Sequence, residues 1–266
     1  MRRGSKPRPH TGTGSGSRMF VTCDEGGISA FIMPKCGCSL IKNAVYKANT
    51  GKLFHDPSRI HFDKTAHKVT HQRDAADGAD PARCFGVIRN PVNRFVSFYY
   101  DKMFSTSDLA LPGLRRKLER WASQARGETF TIDTSPDARI AVHRKNLLGL
   151  LDGVEALLDT GNPDHRNGHY DRQTDMMARA GAGDFPVAVL EDLQATFPAQ
   201  IAQASPGFLK TLLSLPPINE SRKPFPVKVV VSTTVRRRIQ DVYKDDIAMY
   251  AAYTSKPQSE PLRLAG

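Results

Sequence analysis

The chain has 266 residues, 24% of them charged and 39% hydrophobic, enough apolar material for one large domain or two small ones. Its net charge of +11 points to an anionic partner, but Arg2, Arg3, Lys6, Arg8 and Arg18 sit in the first eighteen residues without any acid. That leaves a moderate excess of six for the rest, too small and too dispersed for the basic, aromatic-laced stripe of a nucleic-acid binder.

Residues 1–18, "MRRGSKPRPHTGTGSGSR", are rich in Gly, Ser, Pro and basic residues, and their composition predicts a disordered tail. Their "GTGSG" lacks the strand before and helix after that a dinucleotide loop requires. There is no apolar signal-peptide core and no run of about 18 apolar residues, so the expected location is the cytoplasm. Cys23, Cys36, Cys38 and Cys84 show neither paired spacing nor zinc-ligand spacing. They are expected to be reduced thiols used in packing, and no metal is expected.

"GISAFIMP" (27–34) reads as a buried strand ended by Pro34. A turn with Lys35 and Gly37 follows, then "SLIKNAVYKAN" (39–49), a helix with Leu40, Ala44, Val45 and Ala48 on one face. Ser39 is its expected N-cap, and Lys42 and Lys47 are expected to turn away from that face. Residues 50–81 are polar and rich in histidine, with little helical pattern. "CFGVI" is a second buried strand, and Asn90-Pro91 then offers an N-cap followed by proline at the first helical position. Val92, Phe95, Val96, Tyr99, Tyr100 and Met103 form an apolar stripe at helical spacing behind it.

"LRRKLERWAS" (114–123) predicts an amphipathic helix with Trp121 in a core or interface. Residues 127–175 look irregular apart from a helical run at "NLLGLLDGVEALLD". "DFPVAVLEDL" (184–193) is a third strand leading into a helix. "VKVVVS" (227–232) reads as a further strand, and residues 233–253 as one helix carrying Val235, Ile239, Val242, Ile247 and Tyr250. Alternating strands and helices predict an α/β domain on a mainly parallel sheet, spanning about residues 19–254, with 255–266 as a C-terminal tail.

Lys35 and Arg89 each fall between a strand and a helix, the edge at which open α/β sheets bind ligands. A helix N-terminus beside a cation makes an anion site. Lys35 and Lys42 serve the first, and Arg89, Arg94 and Ser97 the second, so the pair suits a ligand with phosphates at both ends. The G-x-x-x-x-G-K-[ST] loop of nucleoside triphosphatases is absent, as is an acidic magnesium ligand at a strand end, which argues against a small-molecule kinase.

"PKCGCSLIK" resembles the 5′-phosphosulfate loop of carbohydrate sulfotransferases, the type that sulfates chondroitin, dermatan and related glycans. "VIRNPVNRFVSFYYDKM" is similar to their 3′-phosphate motif. "GHYDRQ", "VAVLEDLQ" and "DVYKDDIAMYAAYTSKP" resemble later family segments in the same order, so the likeness runs from residue 31 to about 257. It implies a P-loop-NTPase-like three-layer fold that binds 3′-phosphoadenosine 5′-phosphosulfate (PAPS) and transfers its sulfuryl group to a hydroxyl, without a metal. Carried over by position, Lys35, Gly37, Cys38, Ser39 and Lys42 surround the 5′-phosphosulfate, and Arg89 and Ser97 hold the 3′-phosphate. Asn90 stands where the family more often has an acid but can still cap the helix. Golgi relatives carry a membrane anchor, and its absence here implies a bacterial-type cytoplasmic member.

Such a transfer needs Lys35 to stabilise charge on the leaving phosphate and a base for the acceptor hydroxyl. His169 is the first candidate for that base; His61, His67, His71 and Glu191 are the alternatives. The acceptor, a hydroxyl-bearing molecule, is expected to be a carbohydrate.

Overall fold

Four short strands build one sheet in chain order: β1 (Phe20–Cys23), β2 (Ile28–Phe31), β3 (Cys84–Ile88) and β4 (Val187–Val189). The computed structural model describes residues 19–73, 80–106, 110–216, 218 and 223–255; the sequence-predicted tails lie outside these, apart from Ser255. β1 runs antiparallel to β2, with Phe20 opposite Phe31, whereas β2, β3 and β4 are parallel, with Ser29 beside Cys84 and Gly86 beside Val187. The mainly parallel sheet is as expected; β1 is an addition, since the sequence reading began its first strand at residue 27.

Side chains alternate across the sheet, as the two-residue period of a strand dictates. Val21, Cys23, Ile28, Ala30, Phe85, Val87 and Ala188 pack on one face, beside Ile41 and Val45 of α1 (Cys38–Thr50) and Phe208 and Leu212 of α9 (Pro206–Ser214). Phe20, Phe31, Cys84, Ile88, Val187 and Val189 face the other way, against Met176 and Met177 of α6 (Gln173–Arg179). Met249 and Tyr250 of α12 (Lys244–Thr254) close that side. The sheet is therefore the middle of three layers.

Two short helices complete the first part of the chain's helical set: α2 (Lys64–Val69), capped by Asp63, and α3 (Pro91–Phe98). Asn90 accepts from Val92 N and Asn93 N and Pro91 opens α3, as the sequence predicts. The chain then passes into a π-helical turn, Tyr99–Phe104. All six residues of the predicted apolar stripe are buried in a second, helical core. That core is shared with α4 (Pro112–Arg126) and the twenty-residue α5 (Ile140–Asp159). A Cβ on Gly153 would stand 2.4 Å from Leu118 O, so this glycine sets how closely α4 and α5 approach. The other helices are α7 (Leu193–Thr196), α8 (Ala199–Ala204), α10 (Val227–Val230) and α11 (Thr233–Val242).

The structure corrects three expectations. Residues 227–230 are helical: a short β-branched run fits a strand or a buried helical turn equally well, and here it packs on α5 while Arg144 donates to Val229 O and Val230 O. The single helix expected over 233–253 breaks at Tyr243, which is buried and donates its hydroxyl to Tyr170 O. Gly37, not Ser39, is the N-cap of α1, in a left-handed conformation with φ of 76°. Lys42 lies outside the apolar cluster formed by Ile41, Ala44 and Val45, as expected, but it is 4% exposed and donates to Gln72 Oε1.

Among the described residues the four cysteines are free, and no helix is long and apolar enough to cross a membrane.

Candidate active site

The three parallel strands end side by side, and each feeds a turn that carries a charged residue: Lys35 after β2, Arg89 after β3 and Glu191 after β4. The β2 turn is tightly wound. Lys35 has a φ of 68°, in the left-handed region that side chains disfavour. A Cβ on Gly37 would lie 2.5 Å from Leu190 Cδ1 and push that side chain aside, and the φ of 76° is one that favours glycine. No side chain caps α1, and its first N–H groups face the turn without intrahelical acceptors.

Arg89 joins the two strand–helix turns. Its Nη1 donates to Lys35 O at 2.9 Å. Its Nε is buried with no hydrogen-bond partner, the nearest carboxylate oxygen being Glu191 Oε1 at 3.6 Å. Glu191 itself accepts from Asn90 N and Asn93 Nδ2 at the start of α3. Gln173 holds the assembly from below. It is fully buried, accepts from Arg89 N and Cys36 Sγ through Oε1, and donates through Nε2 to Arg89 O. Asp246 fixes Gln173 in turn by accepting from Gln173 N and Thr174 N. Both residues lie in segments that the sequence reading singled out, "GHYDRQ" and "DVYKDDIAMYAAYTSKP", but their partners lie 84 and 73 positions away and their supporting role under Arg89 was not foreseen.

Arg94, expected as a second phosphate cation, has another task. It is 2% exposed, and its guanidinium donates to Pro34 O, Asp171 O and Gly168 O. It clamps the β2 turn to the segment that carries His169. Ser97 is buried one turn further along α3.

Lys35 Nζ lies 2.7 Å from Asp101 Oδ2, and Lys102 Nζ lies 3.2 Å from the same oxygen. Burial lowers the Lys35 pKa below the ordinary lysine value, and Asp101 offsets part of that. Burial opposes the Asp101 charge too, but Lys35 and Lys102 outweigh it and hold the carboxyl below its usual range. His169 is close by, stacked on Phe98 with ring centroids 6.2 Å apart. Its Nδ1 is buried without a partner. Desolvation first, then the positive charges of Lys102, Lys35 and Arg94, push its pKa down to about 3.

A second cluster gathers at the start of α1. Ser39 Oγ lies 2.7 Å from His61 Nε2, and Cys38 Sγ lies 3.6 Å from it. Burial alone would raise the Cys38 thiol, but His61, Lys42 and Lys35 bring it down to about 6. His67 bonds the His61 carbonyl oxygen and His71 bonds exposed Asp24, so neither ring is aimed at Lys35. Among the described residues no group of three or more His, Cys, Asp or Glu is placed to hold a metal ion.

The arrangement can bind anions at two adjacent helix starts and can place a lysine ammonium between them. Comparison with known proteins agrees with that chemistry: a family model described as the sulfotransferase family matches residues 18–254. Comparisons with curated proteins and with solved structures returned no match. The match spans the sheet, both strand–helix turns and the segments of His169 and Asp246, and on this ground the chain belongs to the sulfotransferase family.

Proposed function

We propose that the protein transfers the sulfuryl group of PAPS to a hydroxyl of a carbohydrate acceptor, on a P-loop-like variant of the three-layer fold. The observation that carries this reading is the Arg89–Lys35 bond, which ties the two strand–helix turns into one edge of the sheet. The residues fit the donor. The buried Arg89 Nε lacks a hydrogen-bond partner, and three cations crowd around an uncharged His169, an environment an anionic ligand relieves.

The β2 turn, with Lys35, Gly37, Cys38, Ser39 and Lys42, is the proposed cradle for the 5′-phosphosulfate, and Arg89 with Ser97 the holder of the 3′-phosphate. Arg94 supports both from behind. When bound, the donor supplies an activated sulfuryl group on a phosphate leaving group. Lys35 provides positive charge where the leaving oxygen becomes anionic, held for that task by a strained turn. His169 is the proposed base. It is uncharged, its Nδ1 has no competing partner, and it shares the Lys35–Asp101–Lys102 cluster. His61 is the alternative, already placed against Ser39. The domain limits of 19–254 and a cytoplasmic, bacterial-type setting belong to the same proposal.

Calorimetry with adenosine 3′,5′-bisphosphate (PAP), 5′-AMP and magnesium–ATP tests it. PAP is expected to bind at least tenfold more tightly than either. Preference for magnesium–ATP would favour a kinase, and no nucleotide binding at all would favour a non-enzymatic basic glycan-binding module.

A further inference from the structure

Glu191 stands at the start of α3 and holds two donors there: its Oε2 accepts from Asn90 N at 3.2 Å and its Oε1 from Asn93 Nδ2 at 3.1 Å. We infer that this carboxylate and the 3′-phosphate of the nucleotide compete for one seat, so that Glu191 limits nucleotide affinity and helps to expel the spent nucleotide. This rests on the sulfotransferase reading and adds a specificity-determining residue to its donor site.

The hydrogen-bond inventory comes first. Asn90 Oδ1 caps α3 by accepting from Val92 N and Asn93 N, Pro91 has no N–H, and Arg94 N donates to Asn90 O within the helix. Among the described residues, this turn then has Asn90 N and Asn93 Nδ2 left to offer an anion, besides Arg89 and Ser97. Glu191 holds both. A phosphate that settles at the start of α3 therefore meets a carboxylate already bonded to the donors it would use.

A purely supporting task does not account for this carboxylate. Its Oε1 lies 3.6 Å from Arg89 Nε, beyond a hydrogen bond, and that Nε is buried with no hydrogen-bond partner. Arg89 is oriented by other groups: Lys35 O accepts from its Nη1, and Gln173 binds its backbone N–H and carbonyl. Glu191 offsets the guanidinium charge without bonding to it. A phosphate drawn to Arg89 brings like charge against Glu191, and in a partly desolvated site that repulsion is far stronger than in water. The carboxylate has room to leave, because its side chain is 29% exposed. Its backbone does not need to move. Thr196 Oγ1 pins this turn on both sides, accepting from Val189 N and donating to Asp192 O, so the exchange is a rotation of the Glu191 side chain. As the nucleotide departs, the carboxylate retakes its donors, which favours release.

The test compares calorimetric affinities of PAP and 5′-AMP for the wild type and for Glu191→Gln, which keeps the size and one acceptor but removes the charge. In Glu191→Gln, PAP should bind about fivefold tighter or more, while 5′-AMP, without a 3′-phosphate, changes less than about twofold. Stopped-flow dissociation of PAP should slow by a similar factor, since affinity changes within one site fall mainly on the off-rate. A lower or unchanged PAP affinity, or an equal change for both nucleotides, overturns the inference and makes Glu191 a support for Arg89. A second measurement needs no variant. In isotopically labelled wild type, the Asn93 side-chain amide signals should shift on saturation with PAP and not with 5′-AMP, because the amide exchanges its acceptor. The same response to both nucleotides, or none, overturns the inference as well. A wild type that does not prefer PAP to 5′-AMP overturns the 3′-phosphate assignment and this inference together, whereas a preference indifferent to Glu191 overturns this inference alone.

Discussion

Lys35 and Asp101, 66 positions apart in the chain, meet at 2.7 Å, and the contact joins the turn after β2 to the π-helical turn after α3. π-Helical turns re-aim side chains and recur at functional sites. Here one brings Asp101 and Lys102 to the same ammonium-rich corner. Because burial lowers the Lys35 pKa and Asp101 raises it, Asp101→Asn should lower it further. The basic limb of the rate–pH profile should then move toward neutral pH, which steady-state assays across pH will show. Lys35→Ala should cut turnover roughly 100- to 1,000-fold, the scale of a lost oxyanion donor, with a smaller loss of PAP affinity. Lys35→Arg should not rescue, because a planar fork does not replace a compact ammonium.

Arg89 and Gln173 form a unit, joined at both the amide N–H and the carbonyl of Arg89. Arg89→Ala should cost about 2–5 kcal/mol of the preference for PAP over 5′-AMP, the range for a desolvated charged contact. Gln173→Leu keeps the size but removes both bonds, so it should weaken PAP binding in the same direction without touching the ligand. Calorimetry with the two nucleotides separates the effects, and an unchanged preference in Arg89→Ala would falsify the 3′-phosphate assignment.

Gly37 combines a φ of 76° with a neighbour, Leu190, whose Cδ1 would stand 2.5 Å from a Cβ and have to move. Gly37→Ala should therefore destabilise the fold by about 1–3 kcal/mol. In the Leu190→Ala background the steric part should vanish and the backbone part remain. Urea unfolding of the four variants reads the difference as a coupling between the two sites.

His169 has an ordinary imidazole value of 6.5 in the unfolded chain but is pushed down to about 3 in the fold. Between those limits the unfolded chain binds a proton that the folded one does not. Its contribution to stability is therefore complete above about pH 6.5 and lost as pH falls toward about 3. His169→Gln should flatten the acid side of the stability–pH curve. Bound PAP should neutralise Lys35 and Lys102 in part and raise the imidazole pKa, which proton release or uptake in calorimetry at two buffer ionisation enthalpies will detect. As a general base, His169 should account for roughly 100- to 10,000-fold in turnover while leaving PAP affinity nearly unchanged.

Cys38 should react as a thiolate. With its pKa near 6, alkylation by iodoacetamide should already be near its plateau at pH 7.5, and PAP should protect it. His61→Phe removes the largest of the effects that lower it, so the rate at pH 7.5 should fall and the titration move upward. Peptide mass spectrometry distinguishes Cys38 from the buried Cys23, Cys36 and Cys84.

What the sequence determined by itself were the features set by neighbours along the chain. The apolar runs of β2, β3 and β4, the Asn90-Pro91 start of α3 and the stripe from Val92 to Met103 each follow from local periodicity and capping, and each is present. Their order placed Lys35 and Arg89 at strand ends before any contact was known. Tertiary structure decided the rest, because the deciding partners lie far away in sequence. Whether 227–230 became strand or helix depended on α5 and Arg144, not on its valines. Arg94 looked like a ligand cation, yet three carbonyls, two of them more than 70 positions distant, made it a clamp. Lys42 and Ser39 turned inward because Gln72 and His61 came to meet them. Gln173 and Asp101 lie in recognisable motifs, yet their partners were not legible there: a buried amide or carboxylate acquires its role only when folding removes water and leaves one set of partners within reach.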